Sequence, residues 1–104
     1  TAFAVFTDFL TPSTLYALDG AAAAPRPVRT LPPQFDAAPF VTEQYEAISR
    51  DGARVPYFVL RRSDVTLDGA NPTLLYGYGG FQVSMTPAYA ANAGKLWLER
   101  GGVY

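Results

Sequence analysis

The sequence predicts an α/β fold, because strand-like stretches are followed by a helix-like stretch along its 104 residues. Two alternating apolar runs flank the pair Asp51-Gly52, and an unbroken apolar run leads into the glycine-rich residues 76–81. Residues 88–100 then repeat apolar positions with a helical period. The hydrophobic content of 49% is enough to build a core in a chain of this size.

Two short strands are predicted at the start of the chain, over residues 2–7 and 13–18, with a turn at Thr11-Pro12 between them. A proline-rich stretch follows, with prolines at positions 25, 27, 32, 33 and 39. Because proline has no N–H to donate to a sheet ladder, prolines at this density favour a stiff, extended connector. We therefore expect residues 21–40 to be a linker between two domains.

A β-hairpin is predicted at residues 41–62, because Asp-Gly between two alternating runs is a strong signal for a tight turn. Val55, Tyr57 and Val59 share one face of its second strand. Pro56 interrupts that strand and predicts an edge position or a bulge. The polar residues 63–72 contain two turn signals and are expected to form a loop.

The unbroken apolar run predicts a strand at residues 73–78 that is buried on both faces. A helix is predicted at residues 88–100, followed by Gly101 as a typical residue just beyond a helix end. The apolar positions that share one face of this helix, and that we expect in the core, include Tyr89, Leu96 and Trp97.

The last three residues, Gly102-Val103-Tyr104, predict the opening of a further strand. A natural domain rarely ends on the first residues of a strand that has no partner. We therefore expect the chain to be a fragment.

The composition argues against several classes of function. Eight basic residues balance nine acidic ones, and no basic cluster extends beyond Arg61-Arg62, which disfavours nucleic acid or an anionic membrane as a partner. With no histidine and no cysteine, we expect neither a metal site nor a cofactor, and no Ser-His-Asp triad can be complete. Neither a membrane span nor a signal peptide is evident, so a cytoplasmic or a periplasmic location stays open.

The glycine-rich residues 76–81 predict a functional strand end. An open α/β sheet presents its ligand-contacting backbone where its strands end. Gly77, Gly79 and Gly80 are expected to be turn formers with positive φ, and Tyr78 can lean its phenol over the crevice. On the local sequence alone, Tyr78 is equally compatible with an ordinary half-buried aromatic, and Phe81 with plain core packing.

Six stretches spread over nearly the whole chain together resemble the prolyl oligopeptidase family of serine peptidases. In order, they are residues 9–12, 41–44, 51–56, 67–69, 76–81 and 98–104. The resemblance implies that residues 1–20 are strands from the last blade of a β-propeller and that residues 21–40 are the interdomain linker. Residues 41–104 would be the N-terminal part of an α/β-hydrolase domain. In that domain, the strand that begins at Val103 would insert between the hairpin and residues 73–78.

The resemblance also implies a serine endopeptidase that hydrolyses short peptides on the carboxyl side of proline. Tyr78 matches the tyrosine whose phenol completes the oxyanion hole. Phe81 matches the aromatic wall of the pocket for the proline ring, and Val83 lines the same pocket. The triad would lie outside these residues, so the chain alone is expected to be inactive and to need the remainder of its own polypeptide. The full-length enzyme implied is a monomer.

Two alternatives remain open at this point. The chain is also compatible with a non-catalytic, β-rich binding or scaffolding module, or with another branch of the same family that is similar to oligopeptidase B. The flanking reading frame discriminates between them, because a G-x-S-x-G motif followed by an aspartate and a histidine favours the peptidase.

Overall fold

A computed structural model describes residues 1–21 and 24–104 of the chain. Five strands are followed by a short helix, α1, and a 3₁₀ helix. Their bounds are β1 Ala2–Phe6, β2 Thr14–Leu18, β3 Arg26–Thr30, β4 Phe40–Ile48, β5 Arg54–Arg62, α1 Ala91–Leu96 and the 3₁₀ helix Leu98–Arg100. The strands pair antiparallel, in a three-stranded sheet of order β1-β2-β3 and a hairpin of β4 and β5. The predicted combination of α and β structure is confirmed.

The first sheet contains the two predicted strands and one that was not predicted. β3 lies inside the proline-rich stretch and pairs with β2, with Pro27 opposite Tyr16. The expectation that this stretch stays unpaired is therefore wrong. β3 lies at the edge of the sheet and its register with β2 shifts between Leu15 and Tyr16, a setting in which a strand tolerates proline. Ala22 and Ala23, which belong to the predicted linker, lie outside the described residues.

The second half of the proline-rich stretch is anchored to the core. Phe35 is buried, and its ring stacks on Tyr89 with centroids 5.6 Å apart and planes 7° apart. The backbone N–H of Gln34 donates a 2.8 Å hydrogen bond to the Tyr89 hydroxyl. Together with Phe40, Leu60 and Leu98, Phe35 forms the core cluster.

The predicted hairpin is confirmed over its full length. β4 and β5 pair from Phe40 with Arg62 to Ile48 with Arg54, and Gly52 adopts a φ of 83° in the turn. The turn is closed by the N–H of Ser49, which donates to the carbonyl of Ala53 at 2.9 Å.

The segment Val103-Tyr104 pairs on both of its edges. The Tyr104 N–H donates to the Leu60 carbonyl at 2.9 Å, and the Leu60 N–H donates in return to the Tyr104 carbonyl. On the other edge, Val103 bridges Thr73 in parallel, with a bond from the Leu74 N–H to the Val103 carbonyl at 2.9 Å. The segment thus lies between β5 and the start of the apolar run, in the position implied for a strand there.

The prediction of a buried strand at residues 73–78 is wrong. Only Thr73 pairs, through the bridge to Val103, and the residues that follow form neither strand nor helix. Leu75 is 91% exposed and Tyr76 is 61% exposed. Within residues 1–21 and 24–104, Val103 bonds the main chain of Pro72 and Leu74 on this edge, and residues 75–78 find no main-chain partner that would hold them as a strand.

The predicted helix is shorter than expected and changes type. α1 ends at Leu96, and the chain passes through Trp97 into the 3₁₀ helix, whose end is marked by Gly101 with a φ of 89°. A 3₁₀ helix has three residues per turn, whereas an α-helix has about 3.6. The change of helix type therefore changes which residues of this segment face the core. Leu98 is fully buried, whereas Leu96 is 56% exposed, and the placement of Leu96 in the core is wrong.

Tyr89 and Trp97 are partly buried, and Trp97 braces the end of the helix. Its indole N–H donates a 2.8 Å hydrogen bond to the Val103 carbonyl, and its ring covers Gly102. Gly94, in α1, is covered in the same way by the ring of Phe35, which leaves no room for a Cβ atom. A glycine that weakens the isolated helix therefore allows the helix to approach the core.

We predict that Gly94→Ala destabilises the protein expressed from the whole gene. Alanine favours a helix by about 1 kcal/mol over glycine, but overpacking against Phe35 costs roughly 1–3 kcal/mol. The measurement is the midpoint of urea denaturation, which we expect to fall. Asn92→Ala, on the exposed side of α1, is the matched control and should leave the midpoint unchanged or raise it. A higher midpoint for Gly94→Ala would contradict the packing of Phe35 on Gly94.

An ion pair fastens β4 to β5. The Arg61 guanidinium donates to both carboxylate oxygens of Glu43, at 2.9 Å and 2.7 Å. Their side chains are only 16% and 29% exposed. The hydrogen bond from Arg61 holds the pKa of Glu43 below its ordinary value, while burial and the bond to Glu43 raise the pKa of Tyr45.

This ion pair predicts a pH dependence of stability. Because the pKa of Glu43 is lower in the folded state than its ordinary value of 4.5, the pair stabilises the fold above that value. Its contribution is lost as the pH falls through the folded pKa. We expect Glu43→Gln to lower the thermal midpoint at neutral pH and the gap from wild type to close in acid. Glu46→Gln removes a more exposed pair with Arg54 and should have a smaller effect. A gap that persists in acid would contradict the assignment.

Candidate functional site

The three residues predicted to form the site lie in one loop, residues 76–83. The loop follows the bridge of Thr73 to Val103 and precedes Ala90, whose N–H donates a 3.0 Å hydrogen bond to the carbonyl of Phe9. Residues 73–87 contain no charged side chain. The loop is therefore held at both ends by main-chain bonds and presents an uncharged surface.

Tyr78 folds back over the loop that carries it. The residue is 47% exposed, and its hydroxyl lies 2.9 Å from the position that a Cβ atom on Gly80 would occupy. No hydrogen bond engages this hydroxyl within residues 1–21 and 24–104. Gly80 is needed for its lack of a side chain, since any Cβ there would press on the phenol.

A left-handed turn follows directly. Phe81 and Gln82 both have a φ of 55°, and the Val83 N–H donates a 3.2 Å hydrogen bond to the Gly80 carbonyl. Each non-glycine residue in this region costs roughly 1–2 kcal/mol. The turn thus stores strain in the two residues that lie at its tip.

The expectation that the glycines of this loop adopt positive φ is wrong. Gly77, Gly79 and Gly80 do not adopt it, whereas Gly20, Gly52, Gly69 and Gly101 do. The positive φ angles fall on the two residues that follow the glycines, Phe81 and Gln82. The conformation of Gln82 was missed because glutamine carries no sequence signal for a left-handed residue.

Phe81 and Val83 do not pack into the core. Phe81 is 93% exposed and Val83 is 53% exposed. The interpretation of Phe81 as plain core packing is therefore wrong. Tyr78, Phe81 and Val83 flank Gly80 in the chain, and the side chains of Phe81 and Val83 are exposed within the described residues.

Other kinds of site find little support in the described part of the chain. Residues 1–21 and 24–104 contain no group of three potential metal ligands. No described helix has the length and apolar character required to cross a membrane.

No family model matches the sequence, but individual proteins do. An uncharacterized peptidase of Sinorhizobium fredii is 52% identical over 96% of the chain, and a prolyl endopeptidase of Elizabethkingia miricola is 32% identical over 95%. The chain spans 14% of the length of each of these relatives.

Solved structures agree with the sequence comparison. A post-proline cleaving enzyme from Rickettsia typhi is 35% identical, with a TM-score of 0.79. The match covers 97% of this chain and 14% of the chain of that enzyme. Oligopeptidase B from Leishmania major is 25% identical, with a TM-score of 0.78. The match covers 95% of this chain and 14% of the chain of that enzyme. The described arrangement of strands and helix therefore recurs within much longer peptidases.

Proposed function

Because the chain belongs to the prolyl oligopeptidase family of peptidases, we propose that it is part of a serine endopeptidase that cleaves peptides after proline. In this proposal Tyr78 supplies one donor of the oxyanion hole, and Phe81 and Val83 line the pocket for the proline ring. The nucleophile, its histidine and its aspartate come from the rest of the polypeptide. The observation that carries the proposal is a phenol held over Gly80 with its hydroxyl unengaged within the described residues.

A tyrosine hydroxyl suits this role chemically. A phenol is neutral at physiological pH and donates one hydrogen bond. Acyl transfer passes through a tetrahedral intermediate with a negative oxygen, and fixed donors that point at this oxygen lower the barrier. The lack of a side chain at Gly80 leaves room for the phenol, since a Cβ atom there would lie 2.9 Å from the Tyr78 hydroxyl.

The chemistry of the loop favours proline as the residue before the cleaved bond. A proline side chain is an apolar ring without charge, and Phe81 offers an exposed flat apolar surface. Residues 73–87 carry no charged side chain, which suits an apolar ring on this side of the pocket. The second candidate is a peptidase similar to oligopeptidase B, which the structural likeness to the Leishmania enzyme supports.

We also propose the domain division that the resemblance implies. Residues 1–20 would belong to the last blade of a propeller, residues 21–40 would connect the domains, and residues 41–104 would begin an α/β-hydrolase domain. The position of Val103-Tyr104 between β5 and Thr73 supports the last assignment. The pairing of β3 with β2 supports moving the first boundary of this proposal to Thr30, which would leave residues 31–39 as the connection.

The proposed function is tested with the protein expressed from the whole gene. We expect it to hydrolyse a peptide with proline before the cleaved bond faster than the same peptide with arginine or alanine there. Preference for arginine would favour the second candidate. Absence of hydrolysis of all three peptides would favour the non-catalytic module.

We predict that Tyr78→Phe lowers kcat by about 10²–10³, the usual effect of removing one oxyanion donor. KM should change little, because the lost bond forms in the transition state. The measurement is steady-state hydrolysis of the proline peptide by the whole-gene protein. Tyr76→Phe removes the hydroxyl of an exposed tyrosine in the same loop and should leave kcat unchanged. Equal turnover by the Tyr78 variant and wild type would exclude Tyr78 from the oxyanion hole.

A further inference from the structure

We propose that Gln82 is a positioning residue that sets the preference for proline through the conformation of its backbone. Its left-handed conformation would fix the direction of Phe81 relative to the hydroxyl of Tyr78. This inference rests on the proposed function and adds to it a residue that makes no contact with substrate. The geometry that points to it is the turn between Gly80 and Val83.

The turn lies directly beside the two proposed functional side chains, those of Tyr78 and Phe81. The Tyr78 hydroxyl lies against Gly80, and the carbonyl of Gly80 accepts the hydrogen bond from the Val83 N–H at 3.2 Å. Between those two points stand only Phe81 and Gln82. The hydrogen bond from the Val83 N–H to the Gly80 carbonyl closes the turn across Phe81 and Gln82, so a change in the backbone angles of Gln82 would open the turn and release the backbone of Phe81.

The side chain of Gln82 has no evident role of its own. It is exposed, and within residues 1–21 and 24–104 it takes part in no hydrogen bond. Its φ of 55° is one that a non-glycine residue seldom adopts. Within the described residues, what position 82 contributes is therefore the conformation of the turn.

If position 82 acts through its backbone conformation, substitutions there should affect the preference for proline in an order that chemical similarity to glutamine does not predict. Glycine and asparagine adopt the left-handed region readily, so Gln82→Gly and Gln82→Asn should preserve the preference for proline. Valine is β-branched and strongly disfavours this region, so Gln82→Val should disturb the turn. A role for the side chain would give a different result, because Gln82→Gly would then be as harmful as Gln82→Val.

The experiment compares kcat/KM for two peptides that carry proline or alanine before the cleaved bond, using the protein expressed from the whole gene. For Gln82→Val we expect the ratio of proline to alanine to fall about tenfold, which corresponds to the usual cost of a left-handed residue. The fall should come from KM for the proline peptide, while hydrolysis of the alanine peptide continues. Gln82→Gly and Gln82→Asn should keep the wild-type ratio.

Ser84→Val is the matched control, because it adds the same side chain at an exposed position just outside the turn. We expect it to keep the wild-type ratio. An unchanged ratio for Gln82→Val, or an equal loss in Gln82→Gly, would overturn the inference while the proposed function stands. A wild-type protein without preference for proline would overturn the proposed function and, with it, the role of Gln82.

Discussion

The two-sided pairing of Val103-Tyr104 is the constraint on which the rest of the second half depends. Its main-chain groups bind Leu60 of β5 on one edge and the residues around Thr73 on the other. The Val103 carbonyl also accepts the indole N–H of Trp97 at 2.8 Å. The hairpin, the end of the helical region and the start of the loop therefore all contact the segment Val103-Tyr104. Because these groups are backbone, substitutions of its side chains leave this pairing available, whereas a proline there would remove an N–H donor.

A second set of contacts ties the first part of the chain to this unit. Phe9, between β1 and β2, packs its ring against Phe58 of β5 with centroids 5.1 Å apart, and its carbonyl accepts the Ala90 N–H. Phe35 reaches the same region through Tyr89 and Gly94. Both anchors are aromatic rings, which bury a large apolar area each. The loop that carries Tyr78 lies between two independent sets of interactions, the main-chain bonds at Thr73 and Leu74 and the contacts of Tyr89 and Ala90.

The sequence predicted best what short-range interactions decide. The hairpin from β4 to β5 follows from Asp51-Gly52 and two alternating runs, and Gly101 ends the helical region where expected. The sequence-based predictions were wrong where residues distant in the chain determine the local structure. Residues 73–78 look like a buried strand, yet main-chain pairing reaches only their first residues. β3 forms despite Pro27 because β2 offers it an edge. The proposed role of Tyr78 follows from its setting among glycines and from the family resemblance, while the left-handed conformation of Gln82 has no local cause in the sequence.

The placement of strain in this loop has a physical rationale. An oxyanion donor accelerates a reaction only if it already points at the place where charge develops, because reorientation during the reaction consumes the gain. A loop of ordinary flexibility would let the phenol of Tyr78 and the ring of Phe81 move independently. Two consecutive left-handed residues, closed by the bond between Gly80 and Val83, restrict that motion. Such strain persists only where surrounding structure enforces it. Main-chain bonds at Thr73 and Ala90 flank the segment that contains this turn, so weakening either should loosen the relation between the proposed donor and the proposed pocket before it unfolds the hairpin.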